Sequence, residues 1–192
     1  MTEALFGSKS MYPSRPRIPL DPFVGEGGRE AELLLEIGAW LEFILFFTGA
    51  RKVLDIGTGS GFTAAVAAQG VSGAGGWVLT VDENENNAAT ARERLRALGL
   101  WTAVEQEIAD ISGLLKRLRP DSFDLVILDL GSAAGGSYLP AALGVLRVGG
   151  FVVCLHSDVP PEPLAGWSWW PPQAPQLTAG LEQGGPLPSL VL

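Results

Sequence analysis

A glycine-rich turn between a predicted strand and a predicted helix is the stretch of this chain best suited to chemistry. The strand is Val53–Asp55, the turn is Gly57–Gly61 with glycine at every second position, and an alanine-rich helix over 61–69, ended by Gly70, follows. Glycine tolerates positive φ and lets a ligand approach the backbone closely. A helix start adds N–H groups that have no helical partner. The turn therefore predicts a ligand-binding site.

The spacing of the glycines argues against a dinucleotide ligand. A dinucleotide-binding turn has the pattern G-x-G-x-x-G, whereas here the third glycine comes one position early, at Gly61, and Phe62 stands where the last glycine is needed. A pyrophosphate site is therefore disfavoured. A tight strand–helix turn without a ligand is the alternative that stays open.

An acidic residue follows each of the first four predicted strands. The carboxyl ends of parallel strands share one edge of a sheet, so we expect these side chains around a single cleft. They are Asp55, Asp82, Asp110 and Asp129. Aspartate is also a common N-cap, and this alternative stays open for Asp82 and especially for Asp110. Asp82 ends the second strand, where an acid reaches ribose hydroxyls in nucleoside-binding α/β folds, so the pattern predicts a nucleoside ligand that lacks a pyrophosphate.

The elements that position these residues alternate between strand and helix. Five strands separated by helices imply right-handed crossovers and a doubly wound, mainly parallel α/β sheet. We expect an extended proline-rich arm (1–27), an α/β domain (28–156) and a segment rich in Pro and Trp (157–192). This last segment is a candidate to wall the pocket or to complete a shortened sheet with a strand over 186–192. Gly149–Gly150 is predicted to form a turn before the fifth strand.

The helix predicted over 28–48, ended by Gly49, is apolar on most of its sides. A membrane span is disfavoured, because the stretch is short and is interrupted by the acids Glu32, Glu36 and Glu42. We expect one side to pack on the sheet and the other on a second surface, for which a partner subunit in a homodimer is a candidate.

The composition describes one acidic α/β domain. The chain has 192 residues, 47% of them hydrophobic, and a net charge of −8. Affinity for nucleic acid comes mainly from Lys and Arg, so a nucleic-acid partner is disfavoured. Cys154 is the only cysteine, which excludes an intrachain disulfide and a cysteine-based metal cluster. The first residues lack the basic and apolar regions of a signal peptide, which predicts a cytoplasmic location.

Five motifs carry a resemblance to class I S-adenosylmethionine (SAM)-dependent methyltransferases. They are VLDIGTGSG (53–61), VLTVDEN (78–84), IAD (108–110), FDLVILD (123–129) and LRVGGFVV (146–153). Within the class, the chain most resembles the catechol and caffeoyl-CoA O-methyltransferase group, through FDLVILD, Tyr138 and AALGVLRVGG. The resemblance implies a Rossmann-like fold, SAM as cofactor, S-adenosylhomocysteine (SAH) as product and a small-molecule methyl acceptor.

The resemblance also implies roles for individual residues. The glycines would line the methionine side of SAM, Asp82 would hold the ribose, and Asp110 and Ile111 would lie by the adenine. Asp55 would reach the amino-acid end through the loop. The expected cofactor contacts are Asp55, Gly57, Thr58, Gly59, Ser60, Gly61, Asp82, Glu83, Asp110, Ile111 and Asp129.

Two residues at the predicted rim are candidates for catalysis. His156, the only histidine, is expected to act as a general base, with a surface residue after a strand as the alternative. Asp129 is expected to orient the nucleophile or to bind a cation. The catechol and caffeoyl-CoA O-methyltransferase group binds a divalent cation through an aspartate and an Asp-Asn pair. Asp129 matches the aspartate, whereas the positions of the Asp-Asn pair are occupied here by Leu155-His156. Leu155 offers no oxygen ligand, so we assign no metal ligand, and His156 with Asp158 is the remaining alternative.

The resulting hypothesis is O-methylation of a small, partly aromatic molecule by in-line transfer from SAM. Such a displacement needs chiefly the alignment of acceptor, methyl group and sulfur, and the exclusion of water. Three alternatives stay open: an isoaspartyl-protein methyltransferase, a tRNA adenine methyltransferase, and a SAM-fold binding or assembly module without turnover.

Overall fold

The computed structural model describes residues 18–24, 28–129, 135–156 and 176–180. The predicted strand over 186–192 lies outside these residues. The elements in chain order are α1 (Gly28–Thr48), β1 (Lys52–Ile56), α2 (Phe62–Ser72), β2 (Trp77–Asp82), α3 (Glu85–Ala97), a 3-10 helix (Trp101–Ala103), β3 (Val104–Ile108), α4 (Ile111–Arg117), β4 (Phe123–Asp129), α5 (Gly135–Val145), β5 (Leu146–His156) and β6 (Gln176–Gly180).

The sheet confirms the predicted doubly wound α/β fold. Its strand order in the described part of the chain is β3-β2-β1-β4-β5-β6. The first five strands run parallel, and β6 pairs antiparallel with β5. The order reverses between β1 and β4, so the crevice outside the carboxyl ends of these two strands is where a sheet of this kind binds ligands.

Two helical layers cover the two faces of the sheet. Val53 and Leu125 belong to a core cluster with α1 and α2, whereas their neighbours Leu54 and Val126 belong to a second cluster with α4 and α5. Successive side chains of a strand point to opposite faces, so a strand covered on both faces is apolar at every position. This explains the unbroken apolar run in the central strand β4, whereas β3 at the edge of the sheet contains polar residues.

Helix α1 has the predicted bounds and lies with one side in the core. It ends where Gly49, at φ +61°, donates its N–H to the Leu45 carbonyl at 3.1 Å. Leu41 and Leu45 are buried, whereas Trp40 and Phe47 on the outer side are exposed. None of the helices in the described ranges has the length and hydropathy needed to cross a membrane.

Two glycine assignments were wrong. Gly70 does not end a helix, because α2 continues to Ser72. A Cβ at Gly70 would lie 2.8 Å from a Leu45 methyl, so this glycine permits close packing of α2 on α1. Gly149–Gly150 is included in β5 rather than preceding it, although the pairing with β4 is irregular there. Glycine occurs both where another segment packs closely against the backbone and where the chain turns, and the local sequence does not distinguish these two cases.

Candidate functional site

The glycine turn Gly57–Gly61 is attached to the carboxyl end of β2. The amides of Gly57 and Thr58 both donate to the carbonyl of Val81, at 2.9 and 3.1 Å. The Gly59 amide donates to Oδ2 of Asp82 at 2.8 Å. The predicted meeting of the turn with the acid of the second strand is therefore confirmed, at the switch point of the sheet.

The three glycines of the turn serve different purposes. Gly57 and Gly61 have φ of 92° and 85°, and a Cβ on them would lie 3.0 Å from the Asp129 carbonyl oxygen and 2.8 Å from the Ala91 Cβ. Both are thus required by close packing within the protein. A Cβ at Gly59 would meet only the Gly57 carbonyl, at 3.9 Å. The open side of the turn, which a ligand needs, is therefore at Gly59.

The Asp82 carboxylate is largely buried and holds three protein donors. Besides Gly59, Oδ2 accepts from the Asn87 side chain at 3.1 Å, and Oδ1 accepts from the Asn84 amide at 2.8 Å. The N-cap of α3 is Asn84, whose side chain accepts from two backbone amides of the first turn, so Asp82 is not that cap. A carboxylate has about four acceptor positions, which leaves one for a ligand hydroxyl.

Asp55 lies below the rim, contrary to the prediction that all four acids stand at the edge. Strand β1 continues to Ile56, so Asp55 sits inside the sheet, paired with Thr80 and Ile127, and is fully buried. Thr80 Oγ1 donates to Asp55 Oδ2 at 2.7 Å and lies 2.6 Å from Thr58 Oγ1. Because a hydroxyl has one proton, Thr58 must then donate to Thr80.

The buried carboxyl of Asp55 has a pKa of about 7, compared with an ordinary 3.8. Burial is the main cause, and the charges of Asp129 and Asp82 add to it, whereas the hydroxyls of Thr80 and Thr63 lower the pKa. Oδ1 of Asp55 has no hydrogen-bond partner of suitable geometry among the described residues. The charges of Asp129 and Asp82 thus both act on Asp55, whose neighbours in the sheet are the strands that these two acids end.

The start of α4 forms the next part of the rim. Asp110 Oδ2 accepts from the Gly113 amide at 2.5 Å, so its predicted role as an N-cap is confirmed. Glu83, one residue after β2, accepts from the Ile111 amide at 3.1 Å. The structure thus brings Glu83, Asp110 and Ile111 together, while their contacts with a cofactor stay predictions.

Asp129 and His156 end neighbouring strands at the same edge of the sheet. Asp129 is exposed and lies against Gly57, and its register partner in β5 is Leu155, with His156 as the next residue. Leu155 is buried in the apolar core and contributes no metal ligand. The described residues contain no group of three or more His, Cys, Asp or Glu that suits a metal ion. Among the described residues, Leu155 thus occupies a position where the divalent site of the catechol and caffeoyl-CoA group has an oxygen ligand, so we derive no step through a metal. Asp158, the alternative ligand, lies outside the described residues.

Sequence reasoning missed several residues that shape this site. Asn84 carries the usual signal of an N-cap residue before a polar first turn, and it positions Asp82 through its amide. Thr80 lies in the middle of an otherwise apolar strand, which is a signal of a buried polar contact. Arg94 of α3 donates to the Ser60 carbonyl at 2.8 Å, and nothing in the sequence distinguishes it from Arg92 or Arg96.

Comparison with protein families agrees with this geometry. The model of the O-methyltransferase family matches residues 28–157, from the first residue of α1 to one residue beyond β5. The chain belongs to the O-methyltransferase family. Its match contains the glycine turn, Asp82, Asp129 and His156.

Curated relatives and solved structures are consistent with this membership. Over 115 residues, the chain is 31% identical to a catechol O-methyltransferase of Mycobacterium tuberculosis, covering 58% of this chain and 52% of that protein. Over 109 residues, it is 40% identical to a protein-L-isoaspartate O-methyltransferase of Ignicoccus hospitalis, covering 57% and 48%. The chain thus spans about half the length of these two relatives.

Solved O-methyltransferase structures share the fold. One is TomG from Streptomyces achromogenes in complex with SAM, with a TM-score of 0.58 and 24% identity over 71% of this chain and 68% of that one. Another is an enzyme from Bacillus cereus in complex with SAH, with a TM-score of 0.56 and 23% identity over 71% and 70%. At these identities the likeness shows the fold alone.

Proposed function

We propose that this protein binds SAM at the Gly57–Gly61 turn and transfers its methyl group to an oxygen atom of a small molecule. The observation that carries the proposal is the hydrogen bond between Gly59 and Asp82 at the switch point of the sheet. It places the Gly59 backbone, which has no side chain, next to the Asp82 carboxylate, an arrangement that suits a nucleoside ligand without a pyrophosphate. Membership in the O-methyltransferase family supports the reaction class.

The described residues fit the cofactor. The open side of the turn at Gly59 receives the methionine part, and the remaining acceptor position on Asp82 takes one ribose hydroxyl. The Asn87 side-chain amide, whose 3.1 Å bond is the longest that Asp82 accepts, would give up its place to the second ribose hydroxyl. Ile111 and Asp110 border the adenine. SAM supplies an electrophilic methyl group, and the turn and Asp82 hold it in line with the acceptor.

Asp129 and His156 are the proposed catalytic residues. Both stand at the carboxyl edge of the sheet, Asp129 at the end of β4 against Gly57 of the turn, and His156 at the end of the neighbouring strand β5. We propose that His156 takes the proton from the acceptor hydroxyl and that Asp129 orients this hydroxyl toward the methyl group. A phenol is a suitable acceptor, since its hydroxyl loses a proton more readily than an alkyl hydroxyl.

Two matched glycine variants test the cofactor site. Gly59→Ala and Gly99→Ala both place a Cβ at positive φ in open space, but only the first is on the proposed ligand side. We expect Gly59→Ala to weaken SAH binding at least tenfold in calorimetry and Gly99→Ala to change it less than twofold. Absence of SAH and SAM binding by the wild-type protein would contradict the cofactor assignment.

Assays with pooled catechols and other phenols test the reaction. Methyl transfer from labelled SAM to a phenol is the expected result. Cofactor binding without transfer to phenols or to an isoaspartyl peptide would contradict the enzymatic proposal and favour a SAM-binding module without turnover.

The relative from Ignicoccus hospitalis supports a second candidate function. Its 40% identity exceeds that of the catechol enzyme over a similar length. The same proposed cofactor site would then serve transfer to an isoaspartyl carboxylate, an acceptor that needs no deprotonation at neutral pH. Transfer to an isoaspartyl peptide and not to phenols would decide for this candidate.

We also propose that α1 mediates a homodimer. Trp40, Phe43 and Phe47 form a row of ring contacts at 6.1 and 5.8 Å, in which Phe43 is half-buried against the core while Trp40 and Phe47 are exposed, Phe47 to 71%. The acids Glu32 and Glu36 lie at the other end of the helix, so pairing through the aromatic end keeps these two charges of the two copies apart, and Glu42 is the one acid of the helix near the contact.

Sedimentation velocity tests the dimer. We expect Phe47→Glu to convert a wild-type dimer to a monomer. The control Val148→Glu places the same charge on an exposed apolar residue elsewhere and should leave the dimer intact. A monomeric wild-type protein would contradict the proposal.

A further inference from the structure

Arg94 connects the glycine turn to a segment that precedes α1. Its Nη1 donates to the Ser60 carbonyl in the turn at 2.8 Å. Its guanidinium carbon lies 5.4 Å from the centre of the Phe23 ring. One planar cation thus makes a hydrogen bond at its edge to the turn and a cation–π contact at its face to residue 23.

The segment 18–24 is packed firmly enough to support this contact. Ile18 and Phe23 are buried in the core cluster that contains α1 and α2. The amides of Phe23 and Val24 both donate to the Leu20 carbonyl, at 2.7 and 3.2 Å, which closes a turn. The Phe23 ring stands edge-on to Phe62 at 5.4 Å and 76°. Phe62 directly follows Gly61, the last residue of the turn. Phe23 therefore contacts both the residue after the turn and Arg94.

Helix α3 holds the turn at two points on the same side. Ala91 leaves no room for a side chain at Gly61, and Arg94, three residues later, reaches Ser60. Residues three apart are neighbours on a helix surface. The position of the turn relative to Asp82 therefore depends on α3, and through Arg94 on the segment 18–24.

We infer that Arg94 is a positioning residue for cofactor binding and that it couples the segment 18–24 to the glycine turn. This inference rests on the proposed binding of SAM at that turn. Arg94 holds the Ser60 carbonyl, whose peptide plane also contains the Gly61 N–H. That N–H donates to the Thr58 carbonyl at 2.7 Å, and the Thr58 carbonyl shares its peptide plane with the Gly59 amide, so the bond from Arg94 helps to fix the direction of that amide. Because coupling between two binding events is reciprocal, cofactor in the turn strengthens the packing of residues 18–24, and their packing strengthens cofactor binding.

Helix α3 supplies its own control. Arg96 lies 5.1 Å from the ring centre of Trp101, so it also makes a cation–π contact, but away from the turn. Arg94→Ala and Arg96→Ala therefore remove the same type of side chain and a similar ring contact, and only the first removes the bond to Ser60.

Calorimetric titration with SAH tests the coupling. We expect Arg94→Ala to weaken SAH binding about tenfold, as expected for the loss of a hydrogen bond from a charged donor, and Arg96→Ala to leave it within twofold. Arg94→Lys, which keeps a charged donor, should recover part of the affinity. The inference is overturned if the dissociation constant of Arg94→Ala for SAH is less than five times that of Arg96→Ala. If Arg94→Ala does not fold, the same comparison is made with Arg94→Lys at a threshold of twofold.

A double variant tests the part played by residue 23. Phe23→Leu keeps an apolar side chain and removes the aromatic face, and we expect it to weaken SAH binding about threefold. If Phe23 acts through Arg94, adding Phe23→Leu to Arg94→Ala weakens binding no further, since residues acting as one unit are not additive. Full additivity overturns the coupling.

Hydrogen exchange without ligand separates this inference from the proposed function. In Arg94→Ala and in Phe23→Leu, the amides of Gly59 and Gly61 should exchange faster than in the wild-type protein, while Arg96→Ala leaves them unchanged. If the variants exchange faster but the wild-type protein binds no SAH, the proposed SAM binding is refuted, while the coupling of residues 18–24 to the turn is supported. Unchanged exchange in both variants would refute the coupling, whatever the protein binds.

Discussion

The Gly59 amide donates a hydrogen bond to the Asp82 carboxylate at 2.8 Å, across 23 positions of the sequence. This bond joins the turn after β1 to the end of β2, at the place where the strand order reverses. It makes the carboxylate both a support of the turn and a candidate acceptor for a ligand hydroxyl.

Removing the charge of Asp82 should therefore damage binding more than stability. We expect Asp82→Asn to weaken SAH binding at least tenfold, because the carboxylate loses acceptor capacity toward both the turn and the ribose. Glu85→Gln, an equal change of charge on the exposed first turn of α3, should leave binding unchanged. Calorimetry on the three proteins makes the comparison, and equal affinities would show that Asp82 does not contact the ligand.

The buried carboxyl of Asp55 predicts a pH dependence of stability with an unusual sign. Its pKa is about 7 in the folded protein and 3.8 ordinarily, so between these values the folded state binds the additional proton. The free energy of unfolding contributed by Asp55 is therefore greatest below pH 4, falls as the pH rises to about 7, and is constant above it. The difference corresponds to about 4 kcal/mol.

Urea denaturation between pH 4 and pH 8 measures this contribution. Asp55→Asn keeps the side-chain shape and cannot ionise. We expect the difference in unfolding free energy between wild type and this variant to shift in favour of the variant as the pH rises. A difference that does not depend on pH would mean that Asp55 ionises with an ordinary pKa.

Asp124 should support stability without affecting the site. Its carboxylate accepts from the amides of Arg51 and Lys52 at 2.8 and 2.9 Å and from Arg147 at 2.5 Å, at the end of the sheet opposite the glycine turn. Burial alone raises the pKa of Asp124, but the hydrogen bonds from these two amides and from Arg147 together lower it. Its contribution to stability is thus present above the ordinary pKa and lost in acid.

We expect Asp124→Ala to lower the unfolding free energy by about 1–3 kcal/mol, since two backbone amides lose their acceptor. SAH affinity of the folded fraction should not change. If Asp124→Ala lost as much SAH affinity as Asp82→Asn, the prediction that Asp124 supports stability without affecting the SAH site would be wrong.

Gly61→Ala should be more harmful than other glycine substitutions at positive φ. The new Cβ would lie 2.8 Å from the Ala91 Cβ, and a shift of α3 away from it would break the hydrogen bond from Arg94 to the Ser60 carbonyl. We expect a loss of about 2–5 kcal/mol, from backbone strain and overpacking together. Gly75→Ala, also at positive φ but in open space, should cost about 1–2 kcal/mol. Thermal unfolding of both variants measures the difference, and equal losses would show that the packing at Ala91 is loose.

Several features were predictable because they depend on short stretches of chain. The bounds of α1 follow from an apolar run ended by Gly49, and the strands β1, β2 and β4 follow from apolar runs that lead to acids, whereas β5 has no acid at its end. Asp110 was predictable as an N-cap since the cap and its helix are adjacent. The antiparallel strand Gln176–Gly180 was missed, because its pairing with β5 depends on contacts about 25 positions away and its residues have no strong strand preference.

The sequence by itself determined the doubly wound sheet, the glycine turn and the acids that follow its strands, because periodicity and glycine spacing act over a few residues. Only the tertiary structure decided that Asp55 is buried while Asp82 holds the turn, that Gly59 alone leaves an open side, and that Arg94 rather than Arg96 reaches Ser60. Each of these depends on which distant segments pack together, and burial and hydrogen bonding across such contacts are set by the fold as a whole.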